Sequence, residues 1–328
     1  MRQVANKVQI EGYLRENTLE FARNDKNEEI IRGALVIALD DVKSCRVQFY
    51  ANKYKALKVG ETTRQENKNY SRLVDLLPGN TISIAALMKD NPTMTFDIAK
   101  ESATKVWAIA SLQEYLRKDE KGELISATTI KGITAGIKVE GDKHPFAEKA
   151  EFEIEMYIEA KRPEMKDGEE TGRIVLVGLV PEYDDSVSRI EFVTEPGTAS
   201  DFIEENYNVG QTVKVYGEVI NTYTRVEKEN TGATFGRTVE PQYETTFTSE
   251  RQIFGGTATP LDEDDENALK KEEIKKALAM RQQKIDDMPS KSDAPKAVSP
   301  KKGFTAATTA PQAPAAPRKA FTFDSSNF

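Results

Sequence analysis

Twice along this chain a run of β-rich segments is broken once by a short helical pattern, and that order admits few folds. In the first run, Val8–Leu14, Ile31–Leu39 and Cys45–Ala51 read as strands. Apolar residues at Tyr70, Leu73, Val74 and Leu77 then predict a helix over 67–77, which Pro78 and Gly79 stop. Strands are expected again at Thr81–Ala85, Val106–Ala110 and Phe152–Ile158. A small closed barrel with one interposed helix is the simplest assembly of such segments.

Residues 161–171 are charged and marked by Pro163 and Gly168, so a domain break is expected there. The pattern then returns in shorter form. Arg173–Val180 and Ser188–Thr194 read as strands, Thr198–Tyr207 as a helix, and Gln211–Val219 and Tyr243–Phe254 as further strands. The fold expected is mainly β: tandem oligonucleotide-binding (OB) barrels with short helices, one C-terminal helix and a disordered tail. The corresponding boundaries are 1–162, 172–258, 259–287 and 288–328. The C-terminal helix is expected to start among Asp262–Glu266, where acids favour a helix N-terminus, with Ile274, Leu278 and Ile285 as its apolar stripe. From Pro289 onward the chain is mostly Ala, Pro, Ser, Thr and Lys, too poor in apolar surface to offset the entropy of ordering.

Charge is divided unevenly. Residues 1–150 hold 24 Lys and Arg against 21 Asp and Glu, whereas residues 151–255 hold 10 against 22. A polyanion is therefore expected to meet the first domain. Most catalytic chemistries lack their residues. One cysteine, Cys45, and one histidine, His144, cannot make a zinc site of Cys and His ligands. Neither Gly-x-Gly-x-x-Gly nor the phosphate-binding Gly-x-x-x-x-Gly-Lys-Ser/Thr loop occurs. Glu151, Glu153 and Glu155 alternate with apolar residues as a solvated strand face does. The reading is a non-enzyme without cofactor or metal. No run approaches the ~20 apolar residues of a membrane helix, and a lone cysteine suits a reducing cytoplasm, the location expected.

The strongest local signal is the interleaving of bases and aromatics at Arg46, Gln48, Tyr50, Lys53, Tyr54, Lys55 and Lys58, continued by Arg64, Lys68, Tyr70 and Arg72. A single strand needs cations spaced along a groove for its phosphates and exposed rings for its unstacked bases. Period-two alternation places Arg46, Gln48 and Tyr50 on the outer face of their strand and Cys45, Val47 and Phe49 inside. Trp107, sharing a face with Ile109, fits core packing better than stacking, but Lys105 beside it keeps it among the candidate DNA contacts. Tyr115, Arg117 and Lys118 follow as a second strip that would widen the groove.

These features together resemble the single-stranded-DNA-binding proteins of tailed phages. The resemblance rests on the basic-aromatic strand at 45–58, the helix at 67–77 between barrel strands, and Ser249–Gly256 running into an acidic segment. The ending Lys319-Ala-Phe-Thr-Phe-Asp-Ser-Ser-Asn-Phe328 completes it. It implies sequence-independent coating and protection of single-stranded DNA in phage replication and recombination. It further implies a tail that recruits partner proteins through Phe321, Phe323, Asp324 and Phe328. The tail departs from the acidic tip of bacterial relatives: Asp324 is its last acid, and Lys291, Lys296, Lys301, Lys302, Arg318 and Lys319 make it basic. A structural or assembly protein of a virion is the alternative function, against which the localised basic-aromatic strip speaks.

Overall fold

A computed structural model describes residues 1–56, 63–119, 121–142, 144–227 and 243–288. Its first half comprises β1 (Asn6–Asn17), β2 (Glu20–Arg23), β3 (Glu29–Ala38), β4 (Ser44–Asn52), α1 (Lys68–Asp75), α2 (Ile84–Asp90), α3 (Phe96–Ser102), β5 (Lys105–Lys118) and β6 (Leu124–Ile137). Pairing closes five of these strands into a ring. β1 is antiparallel to β3 and β5, β3 to β4, and β5 to β6, while β4 and β6 run parallel. The three helices fall between the third and fourth strands of the ring. This connectivity is an OB barrel, and it follows from the hydrogen-bond pattern alone.

The second half repeats it with β7 (Lys149–Lys166), β8 (Glu169–Pro181), β9 (Val187–Thr194), α4 (Thr198–Asn206), β10 (Thr212–Glu227) and β11 (Tyr243–Gly256). β7 pairs with β8 and β10, β8 with β9, and β10 with β11, and β9 and β11 are again parallel. The two barrels are fused through β1 and β7, antiparallel from Asn6↔Ile154 to Glu11↔Lys149, so that eleven strands form one sheet. A last helix, α5 (Lys271–Asp286), packs Ile274 and Ala277 with Leu179 of β8 and Val187 of β9.

Inside the first barrel, alternation decides what is buried. Cys45, Val47, Phe49 and Ala51 of β4 are buried and Arg46, Gln48 and Tyr50 are exposed, as their spacing predicts. The Phe49 ring lies where a side chain at Gly132 of β6 would stand, so that glycine admits the largest inward side chain of β4. At Gly33, φ is 133° and a Cβ would strike the Thr18 carbonyl oxygen, which leaves glycine as the residue that fits the close approach of β3 to the Thr18–Leu19 backbone.

Three sequence expectations are corrected here. Thr81–Ala85 is not a strand: Ser83 caps α2 by accepting a hydrogen bond from the Ala86 amide at 3.3 Å, and Ile84 is buried under it. The charged stretch 161–171 is no domain break but a hairpin between β7 and β8, turning at Asp167 and Gly168 with φ of 54° and 88°. β7 therefore founds the second barrel, and the chain passes between barrels at 138–148. The helix expected from Asp262 begins only at Lys271. Asp265 captures the Asp262 amide at 2.7 Å and Lys270 caps the carbonyls of Glu263 and Asp265, local bonds that compete with a helical turn. Residues 289–328, expected to be a disordered tail, lie outside the described residues.

Overpacking tests the Phe49–Gly132 contact. Gly132→Ala is expected to destabilise by about 1–3 kcal/mol in urea unfolding, and adding Phe49→Leu should recover most of that loss.

Candidate nucleic-acid interface

The outer face of β4 forms the floor of a groove. Arg46, Gln48 and Tyr50 stand opposite Val36, Ala34 and Arg32 of β3. The small Ala34 and Gly33 leave space beside the longer β4 side chains. The far wall comes from β6 and β5: Lys131 is the parallel partner of Gln48, and Thr129, Gln113 and Tyr115 line the same hollow of about 490 Å³. A second hollow of about 440 Å³ continues past Tyr50 between Asn24, Lys26, Asn52, Tyr54, Lys55 and Arg64. Tyr50 lines both, so the two run together at its ring. Three tyrosines present open faces along this path, Tyr50 at 54%, Tyr54 at 43% and Tyr115 at 52% exposure.

Cations in the groove differ in how far they are neutralised. Arg46 and Lys131 make no ion pair among the described residues. Arg64 pairs with Glu28 at 2.5 Å and Lys53 with Glu29 at 3.3 Å. A hydrogen bond from Asn24, followed by that from Arg64, holds the Glu28 carboxyl below its ordinary range; Tyr70 and then Lys53 do the same for Glu29. Both acids thus stay ionised and tie down the bases they touch, and among the described residues Arg46 and Lys131 in the first hollow and Lys26 and Lys55 in the second carry no ion pair.

The structure brings Arg46, Gln48, Tyr50, Tyr54, Lys55 and Arg64 together, with Lys53 half-buried beside them. Tyr70 is corrected: only 3% exposed, it turns into the core with Leu73 and donates its hydroxyl to Glu29. The helical spacing that links it to Leu73, Val74 and Leu77 puts it on the buried face of α1. Lys68 is exposed at the start of α1 and lines neither hollow.

Arg72 and Trp107 build a separate surface. The Arg72 guanidinium lies 6.0 Å from the Trp107 ring centre and donates to Thr134 Oγ1 at 3.2 Å. The indole is half-buried on the outer side of β5, not in the core, and lies over Gly136 of β6, where a side chain would collide with it. Gly136 is five residues along β6 from Lys131, roughly 17 Å at strand rise, so Trp107 stands apart from the groove on β4. Lys58 lies outside the described residues, as do Phe321, Phe323, Asp324 and Phe328. Sequence reasoning missed Lys131 and Thr129, because β6 lacks a hydrophobic alternation, and missed Asn24 and Lys26, which read as an ordinary polar loop.

The matching face of the second barrel is partly covered, although Arg189 and Glu191 of β9 stay about half exposed in ion pairs with Glu159 and Arg162. Val175, Val177 and Leu179 of β8 are buried on the side away from the barrel core, and α5 lies against Leu179 and Val187. No cluster of His, Cys, Asp and Glu suited to a metal ion occurs among the described residues.

Residues 86–291 match the family model described as YorF. No curated protein matches the chain. Among solved structures, the chain is similar to the crystal structure of wild-type single-stranded DNA binding protein from Thermus aquaticus, at 12% identity and a TM-score of 0.41, over 78% of this chain and 93% of that one. It is also similar to a deletion mutant of the single-stranded DNA binding protein from Thermus aquaticus, at 12% identity and a TM-score of 0.43, over 81% of this chain and 100% of that one.

Burial pushes the Cys45 thiol up to about 12 against a weak contact from Asn221. The native protein is therefore expected to resist a thiol-specific disulfide reagent at pH 8 and to react fully once unfolded. Rapid native labelling would show that β4 opens readily.

Proposed function

The chain belongs to the YorF family, and we propose that it binds single-stranded DNA without regard to sequence through the groove on its first barrel. The observation that carries this reading is the alternation of open aromatic faces with cations along one continuous path: Tyr115 and Lys131, then Arg46 and Gln48, then Tyr50, Tyr54 and Lys55. Unpaired bases can stack on such rings whatever their identity, and the cations meet the phosphates between them. Paired bases in a duplex offer no free faces to those tyrosines. The role is that of a binder and not a catalyst. The supporting chemistry is complete without a cofactor.

In this reading the protein coats and protects single-stranded intermediates of DNA replication and recombination in the cytoplasm of a phage-infected cell. The C-terminal residues Phe321, Phe323, Asp324 and Phe328 would contact the proteins that act on those intermediates. The resemblance of the whole layout to tailed-phage single-stranded-DNA-binding proteins supports both statements.

Fluorescence titration with oligo-dT at several salt concentrations tests the proposal. Affinity should fall steeply as salt rises, because phosphate neutralisation releases counterions. Tyr50→Ala should weaken binding by about 1–3 kcal/mol, the worth of one stacked base, while Trp107→Phe should leave it unchanged. Arg46→Met should lower the salt slope by about one. Equal affinity for duplex DNA, or indifference to salt, would sink the idea.

A further inference from the structure

The wall of the groove that carries Tyr115 is held from behind. Gln113, Glu114 and Tyr115 all line the groove, and Glu114 also bonds to α5 and to the second barrel. Its carboxylate is only 4% exposed and receives the Arg281 guanidinium of α5 through two bonds, Nε to Oε2 at 2.7 Å and Nη2 to Oε1 at 2.6 Å. Ser126 of β6 and the Arg189 amide of β9 donate to the same carboxylate at 2.8 and 3.2 Å, and the Glu114 amide donates to Ser188 Oγ at 2.8 Å. Burial works against the charge on Glu114, yet the bonds from Arg281 and Ser126 outweigh it and keep the carboxyl below its ordinary range. Further along β5, Lys118 Nζ donates to the carbonyls of Asp286 and Met288 at 3.4 and 3.1 Å, where a cation also suits the C-terminal end of the α5 dipole.

We infer, resting on the DNA-binding reading of the groove, that α5 braces the β5–β6 arm from behind and that Arg281 is a positioning residue for DNA binding. α5 covers the Leu179 and Val187 end of the β8–β9 face, and the second barrel contributes by holding Tyr115 and Lys131 against β4. Arg281 has no place in the groove. Its removal leaves the Glu114 carboxylate buried without its partner, and the arm relieves this by swinging away from the second barrel to reach water. The far wall of the groove then goes with it. Removing both charges together takes away the reason to swing. Lys284, by contrast, joins α5 to Asp184 and Ser186 of the second barrel and leaves the arm untouched.

Oligo-dT titrations of the full chain, paired with thermal unfolding, test this. Arg281→Met should weaken binding roughly tenfold, about the worth of one lost base contact, and Arg281→Met with Glu114→Gln should regain most of it. Lys284→Met should lower the melting temperature and leave affinity unchanged. Should Arg281→Met not fold, Arg281→Lys keeps the charge without the two-bond fork and should lose affinity in the same direction. Wild-type affinity in the folded Arg281 variants, an equal loss in Lys284→Met, or no recovery in the double variant would each overturn the inference. A wild-type protein that ignores oligo-dT would instead overturn the proposed function, so the two failures are distinct.

Discussion

The antiparallel pairing of β1 with β7 is the constraint from which the rest of the molecule follows. β1 pairs with β3 only at Tyr13–Asn17, which leaves the outer edge of Asn6–Glu11 without a partner in its own barrel. β7 pairs with β8 only from Tyr157 onward, so Lys149–Ile154 has the same deficiency. An open strand edge is costly and prone to adventitious pairing. Here each barrel closes the gap of the other, over Asn6↔Ile154 to Glu11↔Lys149. The two barrels are thereby fixed in one orientation by backbone bonds, independent of any particular side chain. That orientation brings β5 of the first barrel beside β9 of the second and gives α5 a surface on both.

Charge is then distributed according to what each barrel buries. In the second barrel three of the few bases are matched in place: Arg162 with Glu191, Arg189 with Glu159, and Arg173 with both Glu164 and Glu250. The pairs of Arg162 and Arg189 are the more exposed and add little stability. Their larger effect is to neutralise the bases, so that the barrel presents little positive surface to a polyanion. In the first barrel, Arg46 and Lys131 line the groove with no ion pair among the described residues. A net acidic chain and a site for an anionic polymer are therefore compatible, because the placement of the charges, and not their total alone, sets the field inside the groove.

How much of this was legible in the sequence depended on how strictly each element keeps its period. β4 was fully legible: its unbroken alternation fixes Arg46, Gln48 and Tyr50 outward once Cys45, Val47 and Phe49 turn inward. Tyr70 was misplaced by reading its charged neighbours before its helical spacing, although 70, 73, 74 and 77 already mark one buried face. Ile82-Ser-Ile84 alternates over only three residues, too few to separate a strand from the cap of α2. β6 was invisible for a physical reason. Its small residues, Gly132 and Gly136 among them, exist to receive Phe49 and Trp107, and a strand chosen for smallness carries no hydrophobic signature.

The domain boundary shows the same limit from another side. Composition placed it at 161–171, where charge, proline and glycine gather, because those residues mark any place where the chain turns in solvent. A hairpin inside a barrel turns in solvent just as a linker does. What separates the two is whether the flanking strands pair with each other, and β7 and β8 do so up to Lys166↔Glu169. Strand pairing is a long-range property, written in no local window. The order of elements could be read along the chain, but their partition into two closed barrels could be settled only by the ladders that close them.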